Sequence, residues 1–166
     1  MRRWPFIITS IMMIAWYAYP ATVRTGSAAF EKLKSLAGEW EGKASTGEVA
    51  RVSYQIVSGG SAVMETIHEK NGPGMITVYH TDGDAIMVTH YCSVGNQPRL
   101  RAVPPQGEVK SLKFSFVDVT NLTKPSAGHM KSLTLTFQDA DHIKQEWTYS
   151  DGGKEATEVF TLERKK

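Results

Sequence analysis

The chain has 166 residues, of which 41% are hydrophobic and 22% are charged. This composition provides enough apolar side chains for one packed core and excludes a disordered or fibrous protein. The 19 basic and 17 acidic residues nearly balance, and this balance gives no support for a nucleic-acid-binding protein. The single cysteine, Cys92, excludes an internal disulfide and a cysteine-rich zinc site.

The N-terminus has the layout of an export signal. A basic start, Met1-Arg2-Arg3, precedes an uncharged stretch from Trp4 to Val23, and small residues follow at positions 26–29. We therefore predict a signal peptide over residues 1–29 and an exported domain, periplasmic or secreted, over residues 30–166. The alternative is an uncleaved anchor, since the uncharged stretch is long enough to span a bilayer. In that case the protein would meet a membrane only through this segment.

The rest of the chain predicts one short helix followed by about ten strands. Phe30, Leu33 and Leu36 have helical spacing, and beyond them the hydrophobic pattern alternates. Clusters of Gly, Pro, Asn, Asp and Ser divide the alternating region at regular intervals. These clusters lie at residues 45–47, 58–60, 71–74, 82–83, 95–96, 104–107, 121–128, 139–141 and 151–153. Hairpin-type turns without a crossover helix predict an antiparallel up-and-down sheet, and closure into a barrel removes its two unpaired edges.

Alternation also predicts which side chains line the barrel. Three stripes of apolar residues are expected to face inward: Ala50, Val52, Tyr54 and Ile56; Leu112, Phe114 and Phe116; Leu133, Leu135 and Phe137. The long connection from Thr120 to His129 is expected to cover one mouth of the barrel.

The last hairpin places polar residues on an apolar face. A two-residue turn at Asp151-Gly152 would pair Gln145 with Glu158 and Trp147 with Ala156. An inward carboxylate and amide indicate a polar spot inside a cavity, because burying them without partners is costly. The alternative is a register shift of one residue, which would return Glu158 to solvent.

Two positions at opposite ends of the domain resemble a known superfamily. Gly38-Glu39-Trp40 at the start of the first strand, with Arg164 near the end of the last, resembles the G-x-W signature of the lipocalin and calycin superfamily. In that superfamily the tryptophan lies across the closed end of the barrel beneath the basic side chain. The resemblance covers about residues 30–166 and implies a calycin-like barrel with Gly38, Trp40 and Arg164 as its structural signature.

A second run is similar to a narrower family. Thr89-His90-Tyr91-Cys92-Ser93-Val94-Gly95-Asn96-Gln97-Pro98-Arg99 resembles small exported bacterial barrels classed as lipocalin-like proteins of unknown function. The segment Gln145-Glu146-Trp147, followed by an Asp-Gly turn, resembles the ending of the same family. The resemblance implies a fold but no activity. By strand count alone, the chain also resembles nitrobindin-type haem barrels and fatty-acid-binding barrels.

The second run contains a candidate polar rim. A turn at Val94-Gly95 would place His90 opposite Arg99, with Asn96 and Gln97 nearby. These donors could hold an anionic or carbonyl-bearing ligand. The alternative is structural: Asn96 and Gln97 bond the turn backbone, while His90 and Arg99 form an outward cross-strand pair.

The five histidines do not predict a metal site. The expected pairings put His68 near Ile76 and His80 near Ala85, and they leave His80 and His90 some 15 Å apart at the usual strand rise. His68 is expected to point to the opposite face from His90, so three imidazoles do not converge on a zinc ion. A single inward histidine, His68 or His80, could serve as a haem ligand. No other cofactor is predicted.

Catalytic arrangements are equally absent from the pattern. His90 and Cys92 are separated by one pleat repeat and do not form a dyad, and we expect Cys92 to be a buried structural thiol. Glu65, Glu69 and Glu158 have no spacing that forces two carboxylates together. The sequence therefore favours a binding protein over an enzyme.

The sequence predicts an exported barrel that binds a small hydrophobic or amphipathic molecule in its interior. The expected ligand-binding residues are Tyr54, His90, Tyr91, Asn96, Gln97, Arg99, Gln145, Trp147 and Glu158. The alternatives are a haem-binding or enzymatic barrel of nitrobindin type, and a filled barrel that acts as an interaction module. A nucleic-acid partner is not expected.

Overall fold

The computed structural model describes residues 25–68 and 74–166, which form one helix and ten strands. The elements are α1 (Thr25–Lys34), β1 (Gly38–Ala44), β2 (Val49–Val57), β3 (Ala62–His68), β4 (Met75–Asp82), β5 (Ala85–Tyr91), β6 (Gln97–Ala102), β7 (Ser111–Thr120), β8 (His129–Phe137), β9 (His142–Asp151) and β10 (Lys154–Arg164). A single 3₁₀ turn, Ser58–Gly60, joins β2 to β3. The predicted signal peptide lies largely outside the described residues, and its last five residues, 25–29, begin α1.

The strands form a closed antiparallel barrel. Each strand pairs with its neighbours in sequence, and β1 pairs with β10 to complete the ring. This confirms the predicted all-β, up-and-down barrel with one short helix before it. We call the end where α1 packs, which also carries the β2–β3, β4–β5, β6–β7 and β8–β9 connections, the closed end. The opposite end is the open end.

The predicted contact between Trp40 and Arg164 lies at the closed end. The two residues are paired across β1 and β10, and the Arg164 guanidinium lies 4.4 Å from the centroid of the Trp40 ring. Arg164 also donates hydrogen bonds to the carbonyls of Ser35 and Ala37, at 2.8 and 2.9 Å. The indole N–H of Trp40 donates to the Leu36 carbonyl at 2.8 Å. These bonds satisfy carbonyls at the end of α1 and lock the helix onto the barrel.

Two glycines allow this close packing. Gly38 has a φ of +130°, and a Cβ there would lie 3.2 Å from the Arg164 guanidinium. At Gly42 a Cβ would lie 1.8 Å from the Thr161 carbonyl oxygen. A larger residue at Gly42 would therefore displace the backbone of β10, because a Cβ cannot approach that closely.

Along four of the ten strands, burial inside the barrel decreases towards the open end. On β4, β7, β8 and β10, fully buried inward residues are followed, nearer the open end, by half-buried ones. The half-buried hydrophobic residues that pack on the core are Met75, Phe116, Met130 and Phe160. The predicted inner stripes are confirmed with one exception: Ile56 is 48% exposed, so its stripe ends at Tyr54. The interior is therefore less buried near the open end along β4, β7, β8 and β10, whereas the core lies towards the closed end.

The last hairpin differs from its predicted register. Asp151 pairs with Lys154, so the turn is Gly152-Gly153, and Trp147 rather than Gln145 lies opposite Glu158. Gln145 instead pairs with Phe160. The shift is two residues along the partner strand, and because side chains alternate with period two, every residue keeps its predicted face. Glu158 is half-buried on the face of Trp147.

Candidate functional site

The centre of the barrel contains one fully buried carboxylate, Glu65 on β3. Tyr54 on β2 donates a hydrogen bond to one carboxylate oxygen at 3.1 Å, and Tyr79 on β4 donates to the other at 2.6 Å. Both tyrosines are buried. Three adjacent strands thus direct one acceptor and two donors to the same point, since Val63, Glu65 and Ile67 all face inward on β3.

Gln145 and Trp147 on β9 complete this buried cluster from the opposite wall. The Gln145 amide nitrogen donates to the Glu65 carboxylate and to the Tyr54 hydroxyl. The indole N–H of Trp147 donates to the Gln145 carbonyl oxygen at 2.9 Å. The structure therefore places an inward polar group at Gln145, as expected, but its partner is Glu65 instead of Glu158.

Burial dominates the electrostatics of the cluster. Desolvation raises the pKa of Glu65 above its usual 4.5, while hydrogen bonds from Tyr79, Gln145, Tyr54 and Thr77 act in the opposite direction. The pKa values of Tyr54 and Tyr79 are well above the usual value, because both are buried and both face the Glu65 charge. The tyrosines therefore remain protonated donors.

His90 on β5 extends the polar cluster towards the open end. Its side chain is fully buried, and its Nδ1 atom lies 2.9 Å from the Thr77 hydroxyl oxygen. The imidazole centroid lies 4.8 Å from the Trp147 ring centroid, while the Nε2 atom has no hydrogen-bond partner. Burial lowers the pKa of His90 from 6.5 to about 4, so the imidazole is neutral at pH 7.

Thr77 connects His90 to Glu65. Thr77 pairs with Glu65 across β3 and β4 and with His90 across β4 and β5. Its hydroxyl also lowers the pKa of the Glu65 carboxyl group. In the bond between Thr77 and His90 Nδ1, either the hydroxyl or the Nδ1–H is the donor, according to the imidazole tautomer. In both tautomers Nε2 is left without a partner.

Asn96 provides a second buried polar atom without a partner at the same end. It is buried in the connection between β5 and β6, and its amide nitrogen donates to the Gly128 carbonyl at 2.8 Å. The amide oxygen of Asn96 has no partner. In the described parts of the chain, His90 Nε2 and Asn96 Oδ1 are the two buried side-chain polar atoms that have no hydrogen-bond partner.

The loop between β7 and β8 is hydrogen-bonded to neighbouring hairpins at the open end. Besides the bond from Asn96 to Gly128, the Gly152 amide donates to the Ser126 carbonyl at 3.2 Å. A Cβ at Gly128 would lie 1.9 Å from the Tyr149 hydroxyl. The loop therefore contacts the β5–β6 and β9–β10 hairpins, one on each side of it.

We use the name open-end chamber for the part of the barrel interior that lies between the rings of His90 and Trp147 and the open end. Its walls are the half-buried side chains of Met75, Phe116, Met130, Phe160 and Glu158. These walls are mainly apolar, and the fully buried rings of His90 and Trp147 form the floor beneath them. Such a combination of apolar walls and a few placed polar groups is typical of small-molecule sites.

The predicted rim of His90 and Arg99 does not form. Arg99 pairs with Thr89, one residue from the predicted register, so His90 turns inward and Arg99 outward. Arg99 forms an exposed ion pair with Asp118, at 2.6 Å from Nε to Oδ1. Tyr91, one of the expected ligand-binding residues, is 49% exposed.

Gln97 serves the turn, as the structural alternative predicted. Its amide nitrogen donates to the Gly95 carbonyl at 3.0 Å, and its amide oxygen accepts from the Thr120 hydroxyl at 2.9 Å. Cys92, expected to be buried, is partly exposed. Gln97 thus holds two connections together and is turned away from the chamber.

The pairings predicted for the other histidines were also wrong in register. His80 lies opposite Met87 instead of near Ala85. Thr66, rather than His68, lies opposite Ile76. His68 and His80 are both exposed, so neither is the inward histidine. Within residues 25–68 and 74–166, no three potential metal-ligating side chains are grouped together.

Glu65, Thr77 and Tyr79 were not predicted from the sequence as residues of the site. The pattern Val63-Glu65-Ile67 places a carboxylate on an apolar stripe, and this was the available indication. The partners come from other strands, however, and no spacing along the chain identifies them.

Comparisons with known proteins address the fold. No family model and no curated protein matches the sequence. The crystal structure of Rv2717c from M. tuberculosis is similar over 83% of this chain and 98% of that one, with a TM-score of 0.59 and 12% sequence identity. The likeness is one of fold. A redesigned beta barrel matches over 81% of this chain and 95% of its own, with 13% identity and a TM-score of 0.38. In the described part of the chain, no helix has the length and apolar character needed to span a bilayer.

Proposed function

We propose that this protein binds a small hydrophobic or amphipathic molecule in the open-end chamber. The observation that carries the proposal is the change in burial along β4, β7, β8 and β10, from fully buried residues towards the closed end to half-buried apolar residues near the open end. A barrel evolved only for stability would gain from filling both halves, because each buried methylene contributes about 0.8 kcal/mol.

The chemistry of the chamber supports this ligand class. Two of its apolar side chains, Met75 and Met130, are flexible thioethers that adapt to irregular ligands. Phe116 and Phe160 offer aromatic surface. The floor is rigid by contrast, because His90 and Trp147 are packed together and bonded to buried partners. Adaptable walls above a fixed polar floor would hold an apolar body and orient a polar end.

A neutral fluorescent probe, N-phenyl-1-naphthylamine, tests the proposal. We expect saturable binding to the full chain, with quenching of Trp147 fluorescence. Met130→Glu should weaken binding because it places a charge in the chamber wall, whereas Val103→Glu, at a 69% exposed position, should not. Absence of probe binding, together with a higher melting temperature for Glu158→Leu, would show a filled barrel and contradict the proposal.

The unpartnered Nε2 atom of His90 favours a second candidate, haem binding. A buried neutral imidazole whose Nδ1 is fixed by a hydrogen bond has the form of a haem axial ligand. The Trp147 ring, 4.8 Å away, occupies the space beside it and would have to move. Titration of the full chain with haemin tests this candidate. A Soret shift lost in His90→Phe but kept in His80→Phe would support it, and no shift would exclude it.

We also propose that the protein acts outside the cytoplasm. The support is the basic start and uncharged stretch of residues 1–23, which lie outside the described residues. The expected mature N-terminus lies between Thr22 and Phe30. Mass spectrometry of protein from the cell envelope would measure it, and recovery of the full-length chain from the membrane pellet would contradict cleavage.

A further inference from the structure

We propose that two copies of this protein associate through the outer face of β3, β4 and β5. Outward side chains of an antiparallel sheet that meets solvent are ordinarily polar. This sector of the barrel wall carries apolar side chains instead, and we call them the apolar outer face: Met64, Ile76, Val78, Met87 and Tyr91. They point away from the barrel interior, so the association is independent of the open-end chamber.

The strand registers join these side chains into one surface. Thr77 at the middle of β4 is buried inside the barrel, so Ile76 and Val78 on either side of it point outward. The outward pairs across the three strands are Met64 with Val78, Val78 with Thr89, Ile76 with Tyr91, and His80 with Met87. Ile76 and Tyr91 are exposed, and the other three apolar residues are half-buried.

The composition of this sector differs from that of the opposite wall. Away from the closed-end turns, the described residues of β3, β4 and β5 have nine outward positions, and none of them is a lysine, arginine, aspartate or glutamate. Those positions are Met64, Thr66, His68, Ile76, Val78, His80, Met87, Thr89 and Tyr91. On β9 and β10 the outward positions include one apolar residue, Val159, and the charged residues Lys144, Glu146, Glu155 and Glu163. A contiguous apolar patch on a protein surface indicates an interaction site.

Ion pairs within the chain neutralise the charged borders of the apolar outer face. Measured from guanidinium nitrogen to carboxylate oxygen, the pairs are Arg99–Asp118 at 2.6 Å and Arg101–Asp82 at 3.6 Å on the β6 side, and Arg51–Glu41 at 3.0 Å on the β2 side. A neutral border provides no attraction for an anionic membrane or a polyanion. It also causes no repulsion between two identical faces, which favours a second copy as the occupant.

The shape of the face also fits a second copy. Two sheets pack face to face with their strands nearly aligned, and a twofold contact places the same patch on both sides of the interface. Because β4 is the central strand of the patch, Val78 would lie near the twofold axis. A standard interface takes about 20 to 30 residues from each partner. The outward positions of three strands and the bordering arginines provide fewer, so we expect a weak dimer that dissociates on dilution.

Sedimentation equilibrium of the full chain tests the proposal. We expect an average mass that rises with concentration from that of one chain towards that of two. Val78→Lys would bury an unpaired ammonium in the contact, and should raise the dissociation constant of the dimer at least about tenfold. The control is Val159→Lys, since Val159 is also a half-buried outward valine but lies on β10, on the other side of the barrel. This control should associate as the wild type does.

Ile76→Lys provides a second variant at an exposed position, where the substitution leaves the core untouched. It should also raise the dissociation constant, and it decides the test where Val78→Lys does not fold. A wild-type protein that stays monomeric at every concentration would overturn the proposal. A dimer that Ile76→Lys leaves unchanged would overturn it as well, because the two copies would then meet elsewhere.

Methionine methyl groups locate the contact in the wild-type chain. Met64 and Met87 belong to the apolar outer face, whereas Met130 lies in the chamber wall. In ¹H–¹³C NMR spectra, the signals of Met64 and Met87 should shift as the protein concentration rises, and that of Met130 should not. The reverse pattern would place the contact at the open end and overturn the proposal. A monomer that floats with phosphatidylcholine vesicles, and no longer does so as Ile76→Lys, would assign the face to a lipid surface and also overturn it.

Discussion

At the closed end of the barrel, Arg164 stacks on Trp40 and satisfies carbonyls after α1. At the open end, by contrast, His90 and Asn96 each keep a buried polar atom without a partner. The same ten strands run to both ends, so the topology of the sheet does not explain the difference. A terminus that satisfies its polar groups stabilises the fold, whereas buried polar atoms without partners lower its stability, and the proposed ligand site lies at the end that holds them.

Removal of Trp40 from the closed end should have the largest effect on the free energy of unfolding. Trp40→Ala deletes a fully buried ring at the closed end and should lower the free energy of unfolding by about 3 to 5 kcal/mol. Arg164→Ala should lower it less, because its side chain is partly exposed. Urea unfolding measures both. Curves that overlay the wild type would show that this contact does not stabilise the closed end.

The second prediction concerns the pH dependence caused by His90. Its folded pKa of about 4 lies below the ordinary 6.5, so the unfolded chain binds a proton that the folded protein does not. Stability should therefore fall as the pH drops from about 6.5 to about 4, by roughly 3 kcal/mol in total.

The comparison of His90→Phe with wild type across this pH range isolates the contribution of His90. The variant should lose this acid sensitivity, while His80→Phe, at an exposed site, should retain it. Identical pH profiles for wild type and His90→Phe would mean that the imidazole is hydrated in solution.

Glu65 should give the opposite pH dependence. Its folded pKa is raised above 4.5 by burial, so the protonated form is favoured in the folded state. Stability conferred by that proton is present below pH 4.5 and is lost as the pH rises through the folded pKa. Glu65→Gln keeps the shape and removes the charge, and should abolish this loss. A variant whose unfolding free energy declines with pH as the wild type does would contradict it.

The smallest effect on stability is expected at Glu158. Glu158→Gln should change the free energy of unfolding by less than about 1 kcal/mol, because the residue is half-buried at the chamber and its shape is preserved. The same substitution should change ligand affinity, since it removes a charge from the chamber wall. Calorimetry of both quantities would test the separation, and a large stability loss with unchanged affinity would place Glu158 in the structural framework.

The sequence was sufficient for the barrel but not for all of its interior. Turn-forming clusters at regular spacing defined the strands, and a two-residue error at the last turn still left Gln145 and Glu158 facing inward. A one-residue error at the β5–β6 turn was enough to pair His90 with Arg99 and turn it outward. Glu65 was missed because its partners lie on three other strands, which only the closed sheet brings together.

The two buried tryptophans provide the most direct test of the difference between the ends. The indole N–H of Trp147 donates to Gln145 beneath the chamber, and that of Trp40 donates to Leu36 at the closed end. Each indole N–H gives a cross-peak of its own in a ¹⁵N-correlated NMR spectrum, and the two assigned cross-peaks can be followed as N-phenyl-1-naphthylamine is added to the full chain. Binding in the open-end chamber predicts that the Trp147 indole signal shifts to saturation while the Trp40 signal stays in place. A shift of Trp40, or no shift of Trp147 at saturating probe, would contradict the account.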